Sequence, residues 1–449
     1  MKKESLEKMV NKYSITAAQN YGLPNKAMLA SLERYNKEVN AELLILPMNG
    51  KSVSEDELHP DLRNYNIVES NVNINKNIKI SNYRIRAQQI LPLTGIRRFA
   101  AGDKSFIFAS PKIMLEYVAN SYDKIPKAIM TTGACTEPNY KTSNRVGRIA
   151  QRDHRYGFVA VEKVSNSVFH FRQVPVLKNG KFVDLGMLYS GNKKPVKVNT
   201  KVLVVGDLHP YDTDKTHEKC TFEQIKYFKP EKVFLHDTFN GISISHHNLG
   251  KYVELQKIYD KQGLNLEDEL KFTLKALTKY ATAQAKHGGK VYVVASNHDE
   301  FLDRYINSGR FIGDKGNSMI GSKLYTAALE GKQALQEGLS LVGKVPDNVV
   351  FLRRDEDCKI LGYQLANHGD LGANGGRGSV KSIEEANGKS ITGHSHTGLI
   401  RRDTYKVGTS TKMRLGYNRG YSNWSQTNAV LYETGTVQLL NTIKKSWGK

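Results

Sequence analysis

Five short segments in the second half of this chain carry side chains able to hold metal ions. They are Asp207-Leu208-His209, His236-Asp237, Asn297-His298-Asp299, His368-Gly369-Asp370 and His394-Ser395-His396. Each sits where a hydrophobic, strand-like run ends. A carboxylate and an imidazole two residues apart, just beyond a strand, can turn towards one point, so Asp207 and His209 suit a first ion, with His396 returning to it. Asp237 could bridge two ions. Asn297 supplies a neutral oxygen, and His368 and His394 complete a second site. His298, beside Asn297, can protonate a leaving oxygen. Mixed Asp, Asn and His ligation favours Mn, Fe or Zn over Ca, which prefers oxygen alone. The expected cofactor is two divalent ions, Mn²⁺ first, with Fe or Zn as alternatives. Such a pair clamps a phosphate, generates a metal-bridging hydroxide and stabilises both the attacking and the leaving oxygen of an in-line displacement.

The order D-x-H, D, N-H-D, H, G-H-x-H resembles the calcineurin-like metallophosphoesterase superfamily. The resemblance covers about residues 200 to 400 of the chain. It implies a two-sheet sandwich flanked by helices. Carried over by position, it puts Asp207, His209 and His396 on one metal, Asp237 between the two, and Asn297, His368 and His394 on the other. His298 becomes the acid or transition-state stabiliser. Two positions depart from the pattern: His236 and Ser296 stand where glycine is usual, although no ligand is lost. Phe239 is more similar to the nuclease branch, the SbcD-type exonucleases, than to the Ser/Thr phosphatases, whose Asp-Arg-Gly is missing. The whole layout also resembles tailed-phage phosphoesterases that degrade host DNA.

Around these motifs, Asp299 is expected to orient His298, and Asp370 to act one step behind the ligands. His246-His247 and Asn240 could contact the scissile phosphate, or His246-His247 could belong to an ordinary loop. The glycine-rich loop 372–378 could bring backbone amides and Arg377 against a phosphate. His217 has no evident role.

The elements that must position the motifs read as alternating strands and helices. Strands are expected at 202–205, 232–235, 291–295, 349–352 and 360–366, with helices at 221–228, 266–286, 322–338 and 379–386. Residues 390–392 lead into the last motif, and strands follow at 429–432 and 437–440. This is an α/β layered domain, 199–449, with its ligands at strand C-termini.

The first half reads differently. Residues 1–40 are expected to be helical, with Ser14 capping a helix over 15–20, a turn at Gly22 and a second helix from Pro24 or Asn25. That pattern suits a helix-turn-helix with Asn25, Lys26, Ser31 and Arg34 facing DNA, or a plain helical hairpin. Residues 41–75 are expected to be a linker. Residues 76–198 read as a basic β-rich domain with one helical interruption at 114–119. Its interspersed arginines and tyrosines suit strand contact and base stacking, or a merely solvated basic face.

The chain has 449 residues and a formal net charge of +22, which gathers polyanions, nucleic acid foremost. Residues 1–200 hold 31 basic and 17 acidic side chains, so the partner-binding surface is expected mostly there. Three scattered cysteines fit a reducing cytoplasm rather than a disulfide framework. No long apolar run suggests a membrane span, and the first residues lack a signal-peptide pattern. The reading is therefore a binuclear-metal phosphodiesterase that hydrolyses DNA in the cytoplasm, the host's if the gene is a phage's, with a homo-oligomer expected. The alternatives are a phosphoesterase of small nucleotides or phosphoproteins, and a DNA-binding protein on a non-catalytic phosphoesterase scaffold.

Overall fold

The computed structural model describes residues 11–48, 57–121, 124–262 and 265–449. Three mixed sheets and nine α-helices are found among them. The central sheet has six strands, in spatial order Val349–Leu352, Lys290–Val294, Lys232–Leu235, Thr200–Val204, Thr427–Tyr432 and Val437–Asn441. The first four run parallel, and Thr427–Tyr432 joins Thr200–Val204 antiparallel. Strict alternation divides its two faces. Val202 and Val204 point into a core shared with the ten-stranded sheet, whereas Leu203 and Val205 point into a core shared with helices. Those helices include Lys215–Phe228 and Leu266–Ala285, which cover the outer face.

Helix Lys215–Phe228 is started by Asp214, whose carboxylate accepts the amides of Thr216 and His217. Asn265 caps Leu266–Ala285 in the same way through the amide of Asp268. The long helix expected at 322–338 is two, Ser318–Leu329 and Ala334–Val342, broken around Gly331 at φ 75°. Likewise the strand expected at 360–366 is a tight hairpin, Lys359–Ile360 against Tyr363–Gln364.

The first half departs from its sequence reading. Residues Lys12–Ala18 form a strand, not a helix. It pairs in parallel with Ala41–Pro47 and antiparallel with Tyr156–Lys163, in the interior of an eight-stranded sheet. Ser14 caps nothing; its hydroxyl donates to Asn36 at 2.6 Å. Only the second expected helix exists, as Lys26–Val39, so the segment is strand–helix–strand and not a helix-turn-helix. Of its DNA-facing set, Asn25 and Ser31 are taken up inside the fold, while the Lys26 side chain stays exposed. Asn25 is buried and caps the helix through the Met28 amide. Ser31 is buried and receives the Gly191 amide at 2.7 Å. Arg34 pairs with Glu38 at 2.8 Å, and Lys26 with Asp61 at 3.3 Å.

Two further boundaries move. Residues 41–75 are not a linker, since Ala41–Pro47 is a largely buried strand and Val72–Asn75 is an edge strand of the ten-stranded sheet; 49–56 lie outside the described residues. Met114–Val118 is a strand and pairs with Leu399–Arg401. That pairing joins strands of the first half and of the motif half in one ten-stranded sheet, so no sheet boundary falls at 198/199. The metal-motif half and the β-rich half are built around a common core.

Candidate metal centre

The motifs lie two to four residues beyond strand ends: Asp207 after Val204, Asp237 after Leu235, Asn297 after Val294, His368 after Gln364 and His394 after Thr392. The parallel strands deliver them to one edge of the sandwich. Backbone bonds then lock the loops together, with the Leu208 amide on His236 O and the His209 amide on Asp237 O, both at 2.9 Å. Four of the expected ligands hold left-handed backbone: His209 at φ 39°, Asp237 at 48°, His394 at 73° and His396 at 53°. Non-glycine residues seldom adopt it, and its concentration at one place marks stored strain typical of a functional site. Gly393 is required by the same crowding. A Cβ there would stand 2.2 Å from Asp207 Oδ1, which instead accepts the His394 amide at 3.1 Å.

All seven expected ligands converge. His209 Nε2 lies 3.0 Å from His396 Nε2 and 3.2 Å from Asp237 Oδ2. His396 Nε2 lies 3.4 Å from Asp207 Oδ2. On the other side, Asn297 Oδ1 is 3.1 Å from both His368 Nε2 and His394 Nδ1, and His368 Nε2 is 3.3 Å from Asp237 Oδ1. Asp237 thus turns one oxygen to each group. Two triads, His209–Asp237–His298 and Asp207–Asp237–His368, have ligand atoms within 4.8 Å of one another.

The electrostatics fit cations. Burial pushes the imidazoles of His368, His396 and His394 below their ordinary value, so they are neutral and can present lone pairs. Asp237 is held well below the usual carboxylate range: burial raises it, but the imidazoles of His368, His209 and His298 gathered around it, with His209 donating to it, outweigh that. Burial and the neighbouring Asp237 charge push Asp207 up. Asp207 Oδ2 and Asp237 Oδ1 are buried with no hydrogen-bond partner among the described residues. Buried acceptors are seldom left so unless something else occupies them. A divalent cation fits that deficit, and a donor set of nitrogens and oxygens without thiolate suits Mn, Fe or Zn.

The remaining expected residues divide. His298 borders the cluster, its ring 4.5 Å from that of His209, and burial pushes it down to about 4. Its Nδ1 donates to the Asn240 carbonyl at 3.1 Å, not to Asp299. Asp299 instead accepts the amides of Phe239 and Ser296 and the Thr238 hydroxyl, and so ties the bridging loop to its own. Burial, then the Asp237 charge, push it up to about 7. Ser296 earns its place by returning the bond, its hydroxyl accepting the Asp299 amide at 3.2 Å. The Asn240 side chain is buried, accepting the Tyr211 amide and donating to Asp212.

His246 and His247 both pack on Phe301, whose ring is 4.7 Å from His298; they lie beside the cluster without entering it. Arg377 is exposed on its loop, and its charge reaches His394. Asp370 is tied away by Arg354 in a two-pronged pair at 2.6 and 2.9 Å. His217 is buried, its Nδ1 2.8 Å from the Thr442 hydroxyl. His236 lies behind His368, Nδ1 to Nδ1 at 3.3 Å, and burial lowers it to about 4.

A cavity of about 240 Å³ opens onto Asp237, Asn297, His298, His394 and His396. Tyr417 and Trp424 form its far wall, with Trp424 edge-on to His396 at 4.3 Å. Sequence reading missed both, because they come from an irregular segment with neither period nor motif. Trp424, one of two tryptophans in the chain, was the available signal.

No family model matches the chain. It is similar to Protein A1 of Escherichia phage T5, 28% identical over 467 residues, which covers 97% of this chain and 82% of that protein. The match supports a phage origin. One solved chain is matched over 54% of this protein and 98% of itself, at 10% identity and a TM-score of 0.29, too weak a likeness to assign a fold. Among the described residues, no helix is long and apolar enough to cross a membrane.

Proposed function

We propose that the chain is a two-metal phosphodiesterase of the calcineurin-like kind that hydrolyses DNA in the cytoplasm of a phage's host. The observation that carries the reading is Asp237, whose two carboxylate oxygens face separate groups, His209 at 3.2 Å and His368 at 3.3 Å. That is the disposition of a bridging ligand. Asp207, His209 and His396 would hold one ion, and Asn297, His368 and His394 the other. The ions would supply Lewis acidity at the phosphoryl group and an activated water.

The chain's own residues do the rest. The Asn240 carbonyl can only accept, so it fixes the proton of neutral His298 on Nδ1 and leaves Nε2 bare, able to take a proton from the attacking water and then pass that proton to the leaving oxygen. Asp299 holds the two loops that carry Asp237 and His298 at a constant separation. Trp424 and Tyr417 exclude water from one side and offer aromatic faces to a base or sugar. DNA is favoured over a small phosphoester by the net charge of +22 and by the exposed Arg377 beside the ligands.

The test is hydrolysis of linear, circular and single-stranded DNA, and of bis-p-nitrophenyl phosphate, with Mn²⁺, Mg²⁺ or EDTA. Metal-dependent DNA cleavage is expected. Turnover of the small ester without cleavage of any DNA would sink the nuclease reading and leave a small-substrate phosphoesterase. His298→Ala should lower turnover about 10²–10⁴-fold, the range for a general acid or base, with metal content retained. Loss of metal in that variant would show that His298 is a ligand.

A further inference from the structure

A second cavity lies away from the candidate metal centre. It is a groove of about 990 Å³ between helices Lys215–Phe228 and Leu266–Ala285. Seven lysines line it, and no carboxylate does. Lys271, Lys275 and Lys279 rise along one wall in four-residue steps, about 6 Å each on a helix. Lys226 and Lys229 face them from the other helix, and Lys286 closes the far end. Among the described residues, Lys271 and Lys279 have ion-pair partners, but Lys226, Lys229, Lys275 and Lys286 have none. The floor is apolar, with Phe222, Ile225 and Leu274.

The groove also has a direction. At its near end Phe272 stacks on Tyr211 at 4.2 Å, directly after the ligand His209. At its far end Gln284 donates to the carbonyls of Pro230 and Lys290, where two central strands begin. From Lys271 to Lys286 the helix covers about 22 Å. A row of cations of that length, leading away from a phosphodiester-cleaving centre, matches the repeating charge of a nucleic-acid backbone.

We infer that the groove between helices Lys215–Phe228 and Leu266–Ala285 binds the phosphate backbone of duplex DNA outside the cleaved segment. The inference rests on the DNase reading only for its choice of polyanion. A duplex is favoured over an unstacked strand because Phe222 is half-buried against Tyr280 and no exposed aromatic lines the groove for base stacking. The sequence had placed the basic partner surface in the first 200 residues; this one lies in the other half.

The experiment measures duplex binding by the full chain in EDTA across a salt series. It compares the wild type with a quadruple variant, Lys226→Gln, Lys229→Gln, Lys275→Gln and Lys286→Gln. A charge-matched control carries Lys178→Gln, Lys181→Gln, Lys193→Gln and Lys194→Gln, all exposed elsewhere. The groove variant should lose about one unit of log–log salt slope per lost phosphate contact, up to about four, while the control stays near wild type. Thermal unfolding of all three should coincide. An unchanged slope, or equal loss in groove variant and control, overturns the proposal. So does loss of binding to phosphatidylserine vesicles with the DNA slope retained. Cleavage is read separately with metal present. DNA that is bound through the groove but never cut would fail the proposed function alone, and cut DNA with an unchanged slope would fail the groove alone.

Discussion

Two buried polar clusters in this molecule look alike by composition and differ in how they are satisfied. In the N-terminal sheet, Asp184 receives both prongs of Arg172, at 2.8 and 2.9 Å, together with the Tyr35 hydroxyl at 2.9 Å and the Gln438 amide at 2.8 Å. Four donors meet one carboxylate, and the network closes on itself. At the candidate metal centre, Asp207 Oδ2 and Asp237 Oδ1 are equally buried and receive no hydrogen bond among the described residues; burial keeps His368 and His396 neutral, and His209, which burial lowers but the Asp237 charge raises further, faces the other Asp237 oxygen. A network that closes is a fastener. One that stays acceptor-rich is open to completion from outside, and left-handed backbone is concentrated there, at His209, Asp237, His394 and His396, against Leu185 alone beside Asp184.

The strongest way to break the comparison is Asp237→Asn. Metal-dependent phosphodiester turnover should fall by about 10³-fold or more, since Lewis-acid stabilisation is worth several kcal/mol and each ~1.4 kcal/mol is a factor of ten. Metal bound per chain should fall too, read by elemental mass spectrometry. The metal-free variant should lose less stability than Asp184→Asn: Asp237 is held low in the fold and its charge faces His209, but relief at Asp207 offsets part of that loss. The substitution removes a charge that pushes Asp207 up, and no donor loses its partner except by way of the imidazoles. If denaturant unfolding instead showed a loss of several kcal/mol in the metal-free state, the cluster would be a fastener like the other.

Asp184→Asn should give the reverse pattern. It leaves the Arg172 guanidinium buried without its counter-charge, at a cost of about 3–5 kcal/mol in urea unfolding at pH 7, with metal content unchanged. The pH dependence follows from the folded carboxyl. Burial raises it, but the Arg172 charge and the hydrogen bonds win, so Asp184 lies below its ordinary value. A carboxyl depressed in the folded state stabilises fully above the unfolded value near 3.9 and loses that stabilisation as pH falls through its folded value. The gap between wild type and Asp184→Asn should therefore be full at pH 7 and narrow only below about pH 4. A gap that narrowed between pH 7 and 5 would contradict this account.

The two clusters were not equally legible from sequence. The convergence of the seven motif residues was, because each stands just past a continuous apolar strand, and parallel strands deliver their C-terminal residues to one edge. The Asp184 network was not, since its members at 35, 172, 184 and 438 meet only through non-local sheet packing. The same cause undid the N-terminal reading. Ala17 and Ala18 suggest a helix locally, yet the strand is fixed by partners at 41–47 and 159–162, far along the chain. Asn240 is an intermediate case: its place beside the bridging motif was evident, but only the fold shows that its carbonyl, and not its side chain, does the work of holding His298.

The smallest expected effect tests the border between the two kinds of cluster. His236 stands where the resembling family has glycine, and it is buried behind His368 with Nδ1 facing Nδ1 at 3.3 Å. The His368 Nε2 side faces Asn297 and Asp237, so if an ion is held there Nε2 would be its ligand atom and Nδ1 would carry the proton. Neutral His236, lowered to about 4 by burial, then accepts that proton's hydrogen bond and carries its own on Nε2. It therefore fixes the tautomer of a ligand without being one. His236→Ala should weaken metal affinity by about 10–100-fold while leaving the metal-free stability within the range of an ordinary core substitution. His236→Asn, whose amide oxygen can still accept, should recover part of the affinity. Equal losses in the two variants, measured by metal titration, would mean that His236 fills space behind the centre and does not hold its ligand.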